Sequence, residues 1–122
     1  MPAITVAEFN AIITEELTWA ADIGMHARAI DDGTATLVLP FDGNMVRSGG
    51  TVSGPFMMAL ADAAMYAVVL SVLGVVKMAV TTSFNINFLH RPHPGDLLAE
   101  ARALKVGKRL VVVDVTVHSE GH

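Results

Sequence analysis

The spacing of apolar residues changes period along the chain, and each change marks an element. Phe9, Ile12, Ile13, Leu17 and Ala20 recur at three- and four-residue intervals, which places them on one face of a helix over 6 to about 20. Thr5-Val6-Ala7-Glu8 puts Thr at the cap and Glu three residues on, the reciprocal pair of a capping box. Asp22 to Gly24 ends that helix. Two β-type runs follow, Met25 to Ile30 and Thr34 to Leu39, separated by the turn residues Asp31-Asp32-Gly33 and closed by Pro40. From Pro55 to Val76 the side chains are apolar almost without break, so a long helix is predicted to about 73, with Gly74 as its stop. Met78 to Leu89 then switches to alternation, with Phe84, Ile86 and Phe88 on one face and Ser83, Asn85 and Asn87 on the other. Pro92 and Pro94 end this strand because they remove ladder donors. Leu97 to Lys105 and Leu110 to Val117 are two more strands, joined through Val106-Gly107-Lys108-Arg109. The order helix, β, β, long helix, β, β, β predicts an α+β fold, an antiparallel sheet with one buried helix packed on it.

Composition adds an assembly to this picture. The 122 residues form one domain, with no internal repeat or linker. A hydrophobic share of 52% with only 16% charged residues exceeds what a lone globular domain hides, and predicts a surface covered by self-association. The run from Pro55 to Val76 is also long enough to span a bilayer. Against that, Asp62 in its middle costs about 2.5–3.5 kcal/mol on insertion scales, no basic cluster flanks it, and the strands need a helix to cover them. A buried core helix and no membrane partner is the expectation.

The net charge is −4, and it is unevenly spread. Arg91, Arg102, Lys105, Lys108 and Arg109 fall close together, a basic patch suited to an anionic ligand. It is too small, and too poor in aromatics, to predict nucleic-acid binding. With no cysteine, disulfides and thiolate chemistry are excluded. The first residues hold Glu8, Glu15 and Glu16 and no basic lead, unlike a signal peptide, so a cytoplasmic protein is expected.

Candidate chemistry concentrates in Arg47 to Tyr66, RSGGTVSGPFMMALADAAMY. Here a glycine-rich loop feeds the long helix; Ser53 or Gly54 suits the cap and Pro55 the first turn. Free N–H groups at such a start, with the positive end of the helix dipole, stabilise an oxygen that gains negative charge. Asp62 follows two turns on, among Met58, Ala59, Met65 and Tyr66, where partial burial is expected. It serves either as a general base or as a hydrogen-bond partner for the loop or a nearby side chain. Tyr66 is placed to orient that carboxylate, to line a pocket, or simply to pack. Arg47 is placed to meet a ligand or to pair with Asp62. Ser53 has no histidine near it in sequence to activate it, which favours a cap over a nucleophile. Thr81 and Thr82 suit a strand by propensity alone. His90 and His93 lack the paired spacing of a zinc site, and no metal is expected. Met57, Met58, Met65 and Met78 are adaptable enough to line a pocket for a flexible group, or to fill core.

With loop, helix and long strand in place, the chain resembles the hotdog-fold acyl-CoA thioesterases of the phenylacetate-degradation type. Their motif has the form Asn-x-x-Gly-x-x-His-Gly-Gly with an acid seven residues later. Aligned on Asp62, Arg47 stands at the Asn, Gly50 at the first Gly, Ser53 at the His, and Gly54 and Pro55 at the Gly pair. Asn85 to Pro92 with Gly95-Asp96 resembles the family's long strand and its exit, and Leu98 to Arg102 with Gly107-Lys108 its next strand and turn. The likeness runs from about Asn44 to Val117.

The resemblance implies a sheet wrapped around the long helix, and hydrolysis of an acyl- or aryl-CoA to the acid and free CoA. It implies Asp62 as general base or nucleophile and the Gly54 N–H as oxyanion donor, supplied by opposite subunits of a homodimer or homotetramer. Thr81 or Thr82 would position the water. Arg47, Gly50, Ser53 and Tyr66 would line the substrate site; in the basic patch, Arg91, Lys105, Lys108 and Arg109 are candidates for the CoA phosphates or form a solvated face. No cofactor is implied beyond CoA itself, which is part of the substrate. Three departures are specific: Ser53 has no imidazole, Pro55 has no N–H, and Arg47 brings a cation where an amide is usual. They point to an alternative, a non-catalytic acyl or small-ligand binding module on the same fold. The chain also ends at Ser119-Glu120-Gly121-His122, where the resemblance implies one more strand.

Overall fold

Thr5 caps the first helix in the predicted way. In the computed structural model, which describes residues 2–40, 54–73, 81–88, 96–107 and 110–119, the Glu8 N–H donates to Thr5 Oγ1 at 3.1 Å and the Thr5 N–H to Glu8 Oε1 at 3.0 Å. Helix α1 spans Val6–Glu16. The single helix predicted here is two: the chain leaves helical geometry at Leu17 (φ −122°, ψ 60°), and a short α2 covers Thr18–Asp22. Ile13 and Ala20 are buried on either side of the break, so the apolar period runs through it and spacing alone does not reveal it.

Strands β1 (His26–Asp31) and β2 (Thr34–Leu39) form the expected hairpin. Gly33 at its turn has φ 82°, a conformation that favours glycine. The same turn is tied to helix α3, which spans Gly54–Leu73. The Gly33 N–H donates to Ser71 Oγ at 3.1 Å, and the Ser71 hydroxyl donates to the Val68 carbonyl at 2.6 Å. Ser71 is buried, so no water replaces it easily. Ser71→Ala leaves the Gly33 N–H without its acceptor. It is expected to cost about 1–3 kcal/mol, read as a lowered thermal midpoint; an unchanged midpoint would remove this link from the account.

Strands β3 (Thr81–Phe88), β4 (Leu97–Val106) and β5 (Leu110–Ser119) complete a sheet of order β1-β2-β4-β5-β3. The antiparallel prediction holds for β1–β2, β2–β4 and β4–β5. It needs correcting at one edge, where β3 pairs with β5 in parallel. The reason is topological. β5 lies between β3 and β4, and an alternating sequence specifies which residues share a face but not the direction of the neighbour.

Alternation places Leu37, Leu39, Ala99, Ala101, Val111, Val113, Val115 and Val117 in the core beneath α3. The register sets Phe84, Ile86 and Phe88 opposite Val113, Val115 and Val117. On the helix, Leu60, Ala64, Ala67 and Ser71 form the buried stripe, and its small side chains let the helix lie close to β2, β4 and β5. The apolar length of α3 is thus used on the sheet. Among the residues whose side chains are described, no helix is long and apolar enough to cross a membrane.

Asn10 docks α1 onto the edge strand. It accepts from the Ala27 N–H at 2.7 Å and donates to the Ala27 carbonyl at 3.3 Å, next to a register shift between Ala27 and Ala29. This clamp, with Phe9 and Ile13 buried beneath it, holds α1 and α2 alongside α3.

Candidate active site

Asp62 projects from the uncovered side of α3. The expected partial burial is corrected: it is exposed within one chain. Residues 60 and 64 each lie two positions away, about 200° around a helix, so a buried stripe through Leu60, Ala64 and Ser71 turns position 62 outward. Met58 lies on the same outward side, 48% exposed.

Beside Asp62 runs a groove of about 280 Å³, lined by Ala59, Asp62, Ala63, Met65 and Tyr66 from α3 and by Glu16, Leu17 and Trp19 from the α1–α2 corner. Tyr66 is held from below by Phe9, with ring centroids 6.1 Å apart and planes inclined by 55°. Trp19, half exposed, forms the opposite wall. The result is an aromatic and thioether slot with a carboxylate at its side, suited to a flat or flexible apolar group. A second depression, about 320 Å³, lies on the outer face of the sheet around Thr34, Thr36, Glu100 and Arg102. Along β4 and β5, Arg102 lies 3.9 Å from Asp114, and the Glu100 carboxylate lies 3.7 Å from His118 Nε2. This depression lacks the apolar walls of the first.

Of the residues singled out from sequence, Asp62 and Tyr66 line this groove; Glu16, Leu17 and Trp19 line it too and are not among the candidates the sequence offered. These three meet α3 only because the chain bends at Leu17, which the unbroken apolar period conceals. The signal available was Trp19 itself, a large aromatic residue off the Phe9–Ile13 stripe.

Gly54 is the first residue of α3, and its N–H is among those no helical carbonyl satisfies. Eight residues separate it from Asp62, about 12 Å of helix rise. Thr81 and Thr82 open β3, opposite Leu110 and Val111. Val111 is core-facing, so Thr82 holds the register position of the α3-side face and Thr81 that of the other. Lys105 is exposed on β4. Arg47, Gly50, Ser53, Arg91, Lys108 and Arg109 lie outside the described residues, as do Pro55's side chain, His90 and His93.

Comparison with known proteins bears on this geometry. The family model described as the thioesterase superfamily matches residues 49–122. A provisionally named esterase of Saccharolobus solfataricus is 33% identical over 118 residues, covering 96% of this chain and 77% of that protein. Among solved structures, a provisionally named thioesterase from Silicibacter sp. TM1040 superposes with a TM-score of 0.84 at 37% identity, over 100% of this chain and 85% of that one. A phenylacetic acid degradation protein of Thermus thermophilus, solved as a point mutant, shares the fold at a TM-score of 0.70 and 23% identity, over 86% of this chain and 89% of its own.

Proposed function

This chain belongs to the thioesterase superfamily, and from that premise we propose that it hydrolyses an acyl- or aryl-CoA thioester to the carboxylic acid and free CoA. The observation that carries the proposal is Asp62, the one carboxylate of α3, exposed at the side of an apolar, aromatic-walled groove. In the reaction Asp62 takes a proton from water as the water oxygen bonds to the thioester carbon. The carbonyl oxygen gains negative charge and is met by the Gly54 N–H. The C–S bond then breaks, the acid departs, and the CoA sulfur takes up the proton. In the nucleophile variant the Asp62 oxygen forms the first bond itself, and water hydrolyses the resulting anhydride. An oxyanion donor of this kind contributes on the order of 2.7–4 kcal/mol. CoA is part of the substrate and the route uses no cofactor; we place it in the cytoplasm.

Assembly of the site from two copies is part of the proposal, with the Gly54 N–H of one copy facing Asp62 of another. Exposed Met58 and Trp19 beside the site are apolar surface that a second copy, with substrate, would cover.

The second reading, a binding module without turnover, draws on Ser53, Pro55 and Arg47 standing at the motif's His, Gly and Asn. An assay of thiol release across short, medium and aromatic CoA esters separates the two. Turnover is expected; binding by calorimetry without release of thiol would establish the module instead.

A further inference from the structure

Glu16 is a second carboxylate on the groove, and the hydrolysis proposed above does not use it. It is the last residue of α1, in a terminal turn that contains no basic residue. A negative side chain there opposes the helix dipole, whose negative end already lies at that point. The local arrangement is therefore unfavourable for α1 alone, while its effect on the groove is definite. Glu16, the carbonyl end of α1 and Asp62 make the slot electronegative, and Trp19 and Tyr66 give it apolar walls that exclude part of the water. Both carboxylates are exposed in the single chain, so they act on an occupant as partly screened charges.

We propose, resting on the thioesterase reading, that Glu16 is a specificity-determining residue that filters acyl groups by charge. The groove accepts neutral acyl and aryl groups, and acyl groups bearing a cationic nitrogen. It rejects those that end in a second carboxylate. Glu16 plays no part in bond making. It acts on the distal end of the acyl group, while Asp62 acts at the carbonyl. The chemistry favours a neutral or cationic occupant over an anionic one because a carboxylate in the slot meets two like charges and a dipole end, with no cation among the groove's described lining residues.

The test compares kcat/KM for two CoA esters of equal chain length, one ending in methyl and one in carboxylate, in the wild-type protein, Glu16→Gln and Glu16→Lys. Discrimination against the carboxylate ester is expected to fall on the order of tenfold in Glu16→Gln, and further in Glu16→Lys, a size set by one unit charge acting across a few ångströms of partly screened space. The change should appear mainly in KM, since the contact is made equally in ground and transition states. Added salt should weaken discrimination in the wild type more than in Glu16→Gln. Because Glu16 is exposed, neither variant should unfold, and circular dichroism checks this. A methyl-to-carboxylate ratio unchanged in both variants overturns the charge filter and leaves the thioesterase reading intact. Hydrolysis of neither ester by the wild type overturns both.

Discussion

Asp62→Asn is expected to lower kcat for CoA-ester hydrolysis by about 10²–10⁴-fold, the range a positioned general base contributes, while KM changes little. The amide is nearly isosteric and retains a hydrogen-bonding oxygen, but it cannot take a proton or attack carbon. The structure makes the experiment clean. Asp62 is exposed on the uncovered side of α3, away from the Leu60, Ala64 and Ser71 stripe that holds the helix to the sheet, so stability should stay within about 0.5 kcal/mol. A large loss of turnover at an unchanged thermal midpoint therefore reports chemistry and not folding. Full turnover in Asp62→Asn would sink the assigned mechanism and leave the fold untouched. Asp62→Glu discriminates further. It keeps the carboxylate but lengthens the side chain by one methylene, so partial activity is expected for a base acting through water and almost none for a nucleophile that must touch carbon.

The elements of this fold were legible because their periods differ. Leu110 to His118 alternates between core and partly exposed positions, Thr34 to Leu39 and Leu97 to Val106 are strands whose Leu37 to Leu39 and Leu97 to Ala99 are buried without a break, and α3 is apolar over almost its whole length. Two features were not legible, for physical reasons. The direction in which β3 meets β5 depends on which strand lies between, and β5 reaches that place only after β4 has turned back. The bend at Leu17 leaves the Phe9, Ile13 and Ala20 stripe continuous, so a straight helix and a broken one share the same pattern. The site divides along the same line. Asp62 declared itself as the only charge in a long apolar run, a local signal. Glu16 and Trp19 line the groove beside it only through the corner that carries them to α3. The outward aim of Asp62 has the same origin: its neighbours in sequence are Met and Ala, but its surroundings are set by which side of the helix the sheet takes.

Phe9 is where packing and site meet, and Phe9→Ala is expected to be the most destabilising of the substitutions considered. Phe9 is fully buried, the largest side chain of α1 in the core, and it touches the Tyr66 ring. Truncation to Ala removes the transfer free energy of the ring and leaves a cavity that α1, fixed by its Thr5–Glu8 cap and by Asn10 on Ala27, cannot close by moving inward. A cost of about 3–5 kcal/mol follows, a large part of the roughly 5–15 kcal/mol that keeps a domain folded. It should lower the thermal midpoint by about 10–25 °C, given the few degrees per kcal/mol that apply at this chain length. Phe9→Leu fills most of the volume and loses mainly the ring contact, about 0.5–1.5 kcal/mol. The pair of variants separates two roles. If Phe9 only fills space, Phe9→Leu should hydrolyse aromatic and aliphatic esters in the wild-type ratio. If Phe9 also fixes Tyr66 as the floor of the groove, Phe9→Leu should lose activity on the aromatic ester selectively, at a temperature where it is fully folded. The geometry favours the second outcome, because Tyr66 is only half-buried and Phe9 is the ring against which it rests. A midpoint for Phe9→Ala within a few degrees of the wild type would mean that α1 is not clamped as described, and the groove it helps to wall would lose its basis.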